Sequence, residues 1–251
     1  MYYKLLPICN TNDDMRSDFD PDAVHRSIAR EGLAYLAHGL VYPLGRVLAR
    51  RVPSTPHSRE TRTIVLVHGL GANPASFLPL QAYLRLHGHH RFVSCHYASH
   101  GSLEAAALVL KRTLDTQVRG GRIDLVAHSM GGLVARFYLQ QLGGARRVDR
   151  LITLGTPHGG THAANFIPSA LVRQLLPGGP FLEHLNALPP PPGVEVTSIV
   201  GGRDVLIQPV ESARCPFGRS VRFDELGHME LLFQPRVLAE VCACLRPAVR
   251  L

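Results

Sequence analysis

Short apolar runs alternate with longer amphipathic stretches along most of the chain. The run TIVLVHG at 63–69 is continuous and β-branched, which is typical of a parallel strand buried on both faces. The stretch at 102–118 spaces its apolar residues as a helix does, with Ser102 placed to cap it. The pattern therefore predicts strands at 63–69, 92–97, 123–129, 150–157, 194–202 and 220–228, and helices at 75–87, 102–118, 131–142 and 235–245.

Strands that alternate with helices predict an α/β fold, in which a mostly parallel central sheet carries helices on both faces. The alternation stops at 158–193, an irregular apolar stretch that closes with Pro189–Pro192, and we expect a lid-like insertion there. We divide the chain into 1–59, a polar tail and a helical segment, and 60–251, a single α/β domain. A chain of 251 residues suits one large domain better than two.

Composition narrows the classes of function. Hydrophobic residues make up 45% of the chain and charged residues 18%, so a sizeable core can form and wholesale disorder is excluded. The net charge is +8, but only Lys4 and Lys111 among the 27 basic residues are lysines. Because no zinc finger, basic helix or RNA-binding aromatic motif accompanies this charge, we predict no nucleic-acid partner.

The remaining general features predict no cofactor and no metal. The chain has five cysteines without a metal or disulfide spacing, which indicates free thiols in a reducing compartment. His87, His89 and His90 lack carboxylate or cysteine partners nearby in the sequence, and neither a Walker loop nor a dinucleotide fingerprint is present. The first apolar run is too short for a signal peptide, so we expect a cytoplasmic protein.

Membrane association and oligomeric state are left open by the sequence. No stretch reaches the roughly 18 to 20 uninterrupted apolar residues of a membrane-spanning helix. The segment 23–51 reads as helical, is flanked by arginines and contains Pro43 as a kink or break. Two interpretations of 23–51 remain: it packs on the main domain, or it makes a peripheral contact with a membrane surface.

The segment AHSMGG at 127–132 is the most informative motif of the chain. A hydrophobic strand runs directly into Ser129, and a helix begins directly after it. Small residues on both sides of the serine allow a sharp turn that lifts its hydroxyl above the sheet, as in the nucleophile elbow G-x-S-x-G, here with Ala127 in the first glycine position. A helix-capping serine is the alternative, and the strand before and helix after Ser129 argue against it.

These motifs resemble those of the α/β hydrolases, in particular bacterial lipases and esterases, over about residues 60–246. The resemblance implies a triad in the chain order nucleophile, acid and histidine. Asp204 follows a predicted strand and matches the acid loop, and His228 follows the last strand and matches the base. Glu211 and Asp224 are the alternative acids.

The resemblance also implies two backbone donors for the oxyanion. One is the N–H of Met130, directly after the nucleophile, and the other is the N–H of Leu70, in the loop that follows His68 and Gly69. Glycines around Leu70 let that loop turn inward without a Cβ clash. Such donors contribute about 10² to 10³ each to the rate.

The pocket wall is expected to come from the segment LGTPHGGT and the insertion behind it. His158 in this segment precedes Asp204 and has the wrong order for the base. We also exclude His128 as the base, because the side chain next to the nucleophile is expected to project elsewhere. Apolar residues of the insertion suit an acyl group, although they would equally cover the sheet. The predicted substrate-binding residues are His68, Gly69, His128, Thr156, Pro157, Phe166 and Leu171.

Together these features predict a serine hydrolase that cleaves carboxylic esters, with lipid-like acyl esters favoured. An acyltransferase or a thioesterase on the same triad is the first alternative. A non-catalytic binding module is the second, and the complete set of triad residues argues against it. Fold alone would license none of these functions.

Overall fold

The apolar runs form strands of one sheet in the computed structural model, which describes residues 62–118 and 120–246. The six strands are β1 Thr63–Val67, β2 Phe92–Cys95, β3 Ile123–His128, β4 Val148–Leu154, β5 Glu195–Gly201 and β6 Arg219–Phe223. The α-helices are α1 Leu78–Leu86, α2 Leu103–Gln117, α3 Met130–Gln141, α4 Ala170–Arg173, α5 Pro180–Ala187 and α6 Pro235–Leu245. The predicted elements are confirmed, with ends that shift by a few residues.

The sheet is parallel throughout, with the strand order β2-β1-β3-β4-β5-β6. Val67 at the end of β1 pairs with Ala127 of β3, and Ala127 pairs with Thr153 of β4. Gly201 at the end of β5 pairs with Phe223 of β6. This register brings the carboxyl ends of the strands to one edge, which is where open α/β sheets place their ligands.

Helices cover both faces of the sheet, as the alternating pattern predicts. The side chains of β1 show how one strand serves both layers, because successive residues point to opposite faces. Val65 and Val67 belong to a hydrophobic cluster with α2 and α3, whereas Ile64 and Leu66 belong to a second cluster with α1 and α6. Every residue of β1 is buried, as expected for a central parallel strand.

The helix starts show which local predictions hold and which shift. Ser102 caps α2, accepting a hydrogen bond from the Ala105 N–H at 3.2 Å, as predicted. The helix predicted at 75–87 begins as a 3₁₀ turn, Pro74–Phe77, because the Asn73 side chain caps that turn by accepting from the Ala75 N–H. The α1 helix follows it.

The predicted insertion packs on the carboxyl end of the sheet. It contains a 3₁₀ turn, His162–Phe166, and the short helices α4 and α5. Leu171, Phe181 and Leu185 of these elements are buried in the same cluster as α2 and α3. None of the described helices is long and apolar enough to cross a membrane. The predictions for 1–59 and 23–51 lie outside the described residues.

Candidate active site

Ser129 occupies a strained turn between β3 and α3. Its φ of 55° and ψ of −132° make it the one non-glycine residue with positive φ in the described part of the chain. Such a conformation costs on the order of 1–3 kcal/mol and persists only where the surroundings enforce it. The Ser129 N–H donates to the Leu154 carbonyl oxygen at 2.8 Å, which ties the turn to the end of β4.

Three glycines let other chain segments approach this turn closely. A Cβ at Gly69 would lie 2.9 Å from the Ser129 Cβ. A Cβ at Gly131 would overlap the Val67 carbonyl oxygen, and one at Gly132 would overlap the Thr156 hydroxyl. The first turn of α3 therefore packs against the ends of β1 and β4 with no room for a side chain, which holds Ser129 at the edge of the sheet.

Asp204 and His228 form a buried pair on the loops that follow β5 and β6. The Asp204 Oδ2 lies 2.6 Å from the His228 Nδ1, and the residues are 1% and 2% exposed. The other carboxylate oxygen accepts backbone N–H bonds from Leu206 at 2.9 Å and Ile207 at 2.8 Å. Because both Asp204 oxygens are hydrogen-bonded, the carboxylate presents a fixed acceptor to the imidazole.

Gly155 lies in the segment predicted to shape the pocket wall, but its place beside Asp204 and His228 was not predicted from the sequence. Its φ is +55°, and a Cβ there would lie 3.0 Å from the His228 Nδ1 and 3.2 Å from the Asp204 Oδ2. Its N–H donates to the Ile199 carbonyl oxygen at 2.9 Å, which continues the sheet pairing past β4. The signal available in the sequence was a glycine directly at the end of a strand.

The alternative acids lie on the surface. Glu211 and Asp224 have side chains that are 64% and 82% exposed, and both pair with Arg222. His228 directs its Nδ1 to Asp204 instead. Of the three candidate acids, the structure brings Asp204 to the histidine.

The predicted oxyanion loop lies beside the nucleophile. Leu70 and Met130 line the same cavity as Ser129. The loop after β1 is held from outside, because the Gly71 N–H donates to the Ser99 hydroxyl at 2.8 Å. Backbone donors that are fixed before substrate arrives need no reorganisation when charge develops.

An apolar cavity of about 230 Å³ opens at Ser129 and His228. Its walls come from the loop after β1, the elbow, the insertion, and the loops that carry Asp204 and His228. Apolar side chains dominate the lining, which fits a hydrocarbon chain better than a charged group. The lining residues are Gly69, Leu70, Gly71, Ala72, Ser76, His128, Ser129, Met130, Pro157, Thr161, Ala163, Ala164, Ile167, Val172, Leu175, Leu206, Ile207, His228, Met229 and Leu232.

Among the predicted substrate-binding residues, Gly69, His128 and Pro157 lie in the cavity wall. The expectation that the His128 side chain projects away from the site is wrong. Its ring centroid lies 4.7 Å from that of His228, and its Nε2 is 3.3 Å from the His228 carbonyl oxygen. The reason is that the residue before the elbow ends β3 next to the loop after β6.

The other four predicted substrate-binding residues lie outside the cavity lining. His68 is buried and stacks on the Tyr97 ring, and Leu171 is 1% exposed in the hydrophobic core. The Thr156 hydroxyl donates to the Ser129 carbonyl oxygen at 2.8 Å, so it supports the elbow. Phe166 is 85% exposed, and its neighbour in sequence contributes to the wall instead. Apolar residues of an insertion cannot be divided between core, cavity and surface from their sequence alone.

No group of three or more histidine, cysteine or acidic side chains is arranged to hold a metal ion in the described part of the chain. Cys95, Cys215, Cys242 and Cys244 are free thiols.

The fold and the comparisons together define the class: the chain is a member of the α/β hydrolase superfamily. Within that class, the sequence model of the palmitoyl protein thioesterase family matches residues 63–187, which include the elbow. Asp204 and His228 lie beyond the matched residues.

Solved structures show the same fold at low sequence identity. The lipase BlEst2 of Bacillus licheniformis in its propeptide form has a TM-score of 0.63 and 17% identity, covering 77% of this chain and 52% of that chain. The mature form of the same lipase has a TM-score of 0.60 and 18% identity. That match covers 76% of this chain and 96% of the mature lipase. Lipase B of Aspergillus fumigatus has a TM-score of 0.62 and 14% identity, and the match covers 76% of this chain and 54% of that lipase. This chain thus matches about half the length of the propeptide form and of the Aspergillus lipase. The fold is of the lipase, esterase and thioesterase kind.

Proposed function

We propose that this protein is a serine hydrolase that cleaves carboxylic esters or thioesters of lipid-like acyl groups. The observation that carries the proposal is the buried Asp204–His228 pair, joined at 2.6 Å, on the same cavity as the strained Ser129. A simple binding module has no need for a strained serine next to a buried acid–histidine pair. A serine hydrolase needs all three groups, as nucleophile, acid and base.

In this mechanism the Ser129 hydroxyl attacks the acyl carbonyl carbon while the His228 Nε2 takes its proton. Asp204 accepts the hydrogen bond of the His228 Nδ1–H, which fixes the ring and stabilises the imidazolium. The N–H groups of Leu70 and Met130 bind the oxyanion of the tetrahedral intermediate. His228 then protonates the leaving group. In the second half of the reaction His228 takes a proton from water, the water oxygen attacks the acyl carbon, and the Ser129 oxygen leaves with the proton from His228.

The cavity and its mouth support an acyl substrate. Ile167 and Leu206 line the cavity and are also 44% and 38% exposed, so the apolar wall continues onto the surface. Their neighbours Phe166 and Val205 are 85% and 53% exposed. The His162 N–H donates to the Gln208 carbonyl oxygen at 2.9 Å, which joins the two loops. A continuous apolar path from surface to nucleophile fits a chain that arrives from a lipid environment.

A thioester is the second candidate for the scissile bond, and the match to the palmitoyl protein thioesterase family favours it. The proposed triad serves either bond. A thiolate is a better leaving group than an alkoxide, because a free thiol has a pKa of about 8.5, so it depends less on protonation by His228. Acyl transfer to an alcohol or thiol would use the same acyl-enzyme and would appear as a product other than the free acid.

The test compares oxyesters and thioesters that carry the same acyl chain, with chains of two to twelve carbons kept below their micelle concentrations. We expect kcat/KM to rise with chain length, since each buried methylene contributes about 0.8 kcal/mol before the cost of ordering the chain. A steady fall with length would contradict the lipid-like substrate. An added acceptor alcohol should leave the free acid as the main product, and labelling by a fluorophosphonate should modify Ser129.

A further inference from the structure

Arg136 is a charged side chain at the centre of the fold that the proposed reaction does not use. It lies on α3, about two helical turns beyond Ser129, and is 0% exposed. Burial lowers the pKa of its guanidinium. The Nη1 donates to the Asn186 side-chain oxygen at 2.8 Å, and the Nη2 donates to the Leu185 carbonyl oxygen at 3.2 Å. Uncharged acceptors therefore hold a buried charge, and these hydrogen bonds offset part of the cost of removing the guanidinium from water.

His158 connects this guanidinium to the candidate active site. It is 0% exposed, with its Nδ1 3.4 Å from the Arg136 Nη1 and its Nε2 3.0 Å from the Thr153 hydroxyl. A guanidinium can only donate, so the Nδ1 must accept and the proton must reside on the Nε2. Burial first, and then the charge of Arg136, hold the pKa of His158 well below its usual range. The ring is thus neutral and in one tautomer.

The backbone of His158 is held from the other side. The Asn186 side-chain nitrogen donates to the His158 carbonyl oxygen at 3.0 Å, while the oxygen of the same amide accepts from Arg136. We call Arg136, His158 and Asn186 the buried clamp. It joins α3, the segment after β4 and α5, three parts of the chain that are remote in sequence.

The residues just before His158 each contact the site. Gly155 makes the space for the pair of Asp204 and His228. The Thr156 hydroxyl donates to the Ser129 carbonyl oxygen, and Pro157 lines the cavity. A shift of His158 would therefore move groups that support the nucleophile, the base and the acyl wall together.

We propose that His158 is a positioning residue of the active site: the buried clamp sets the segment 155–158 and through Thr156 holds the elbow in its reactive conformation. The inference rests on the proposed function, since it assigns a role toward the reaction of Ser129. A misplacement of about 1 Å can cost about 10² in rate. Loss of the buried clamp should lower kcat more than it raises KM. Substrate binding depends on the cavity wall, and most of that wall comes from other elements.

The experiment measures the second-order rate of fluorophosphonate labelling at Ser129, together with kcat and KM for a soluble ester, in the full chain. His158→Leu removes the acceptor for Arg136, whereas His158→Gln can still accept from Arg136 and donate to Thr153. His162→Leu changes an exposed histidine four residues further along the chain and is the matched control. Asn186→Ala opens the clamp from an exposed residue and serves if His158→Leu does not fold.

We expect His158→Leu and Asn186→Ala to lower the labelling rate and kcat by about 10²-fold, with His158→Gln recovering at least a tenfold part of that loss and His162→Leu matching the wild type. Thr156→Val should cause a similar loss that does not add to that of His158→Leu, since both act through one contact. Additive losses, or wild-type labelling in folded clamp variants, would overturn the role of the clamp. Absence of Ser129 labelling in the wild-type chain would instead overturn the proposed function.

A core variant outside the cavity lining separates positioning from general destabilisation. Leu110→Ala removes a fully buried side chain of α2 that does not line the cavity. If Leu110→Ala lowers the melting temperature as much as His158→Leu and lowers the labelling rate equally, the clamp acts only through stability and the inference fails.

Discussion

The two halves of the candidate active site are held in place by different physical means. On the nucleophile side, Ser129 is fixed by close backbone packing, which glycines at positions 69, 131 and 132 permit. On the acid–base side, Asp204 and His228 are fixed mainly by hydrogen bonds, two of them from backbone N–H groups to the carboxylate. Close packing resists a displacement of even a few tenths of an ångström. A hydrogen bond mainly fixes the direction between donor and acceptor, and another polar group or water can take the place of either partner.

The two halves should therefore respond differently to substitution. The nucleophile side should tolerate loss of a functional atom without loss of shape, because its shape comes from the backbone. The acid–base side should keep its shape less well, because the polar atoms that do the chemistry also hold the loops. The following predictions test this contrast, from the largest effect to the smallest.

Ser129→Ala should abolish ester hydrolysis and preserve the fold. Losses of kcat near 10⁶ are typical for a triad nucleophile, and the alanine keeps the backbone contacts of the elbow. Initial rates and circular dichroism on the purified variant check both parts. Wild-type turnover in the folded variant would remove Ser129 from the mechanism.

Asp204→Asn should lower kcat by about 10⁴-fold, because the amide favours the wrong tautomer of His228. It should also destabilise the loop after β5. Two backbone N–H groups bond to the charged Asp204 carboxylate, and a neutral amide oxygen is a weaker acceptor for them. Glu211→Gln is the control, as that side chain is exposed and bonded to Arg222. A larger loss in Glu211→Gln than in Asp204→Asn would transfer the role of the acid.

Gly155→Ala tests whether the acid–base side also depends on close packing. The new Cβ would lie 3.0 Å from the His228 Nδ1, so we expect about a 10²-fold loss of kcat and a decrease of about 1–3 kcal/mol in the free energy of unfolding. Gly178→Ala is matched for backbone strain, with φ of +69° against +55°, and its Cβ would meet nothing within 4 Å. Equal effects of the two changes on kcat would contradict the packing explanation.

The neutral, buried His158 should make stability depend on pH. Its pKa is lowered in the folded state, so below the unfolded value of about 6.5 the unfolded chain binds a proton that the folded chain does not. The free energy of unfolding should therefore fall by about 1.4 kcal/mol per pH unit below about 6.5 from this residue, until the folded pKa is reached. Urea unfolding of wild type and His158→Gln between pH 5 and 8 measures the difference. Parallel pH curves would show that His158 does not contribute.

Local features of this protein could be predicted from its amino-acid pattern. The alternation of apolar runs and amphipathic stretches predicts the strands of the parallel sheet, since periodicity reports burial directly. The elbow at 127–132 and the cap at Ser102 are likewise local, because each depends on backbone geometry within a few residues. Chain order in the superfamily singles out Asp204 and His228, although it leaves other acids as alternatives.

The way in which residues from separate loops meet depends on the three-dimensional packing and could not be read from the sequence. It pairs His228 with Asp204 and places Glu211 on the surface, turns His128 toward the base, and leaves Phe166 outside the cavity. It also shows that the space around the pair depends on Gly155. The physical reason is that backbone sterics and periodic burial act between near neighbours in the chain, whereas side-chain pairing depends on the relative placement of β4, β5 and β6.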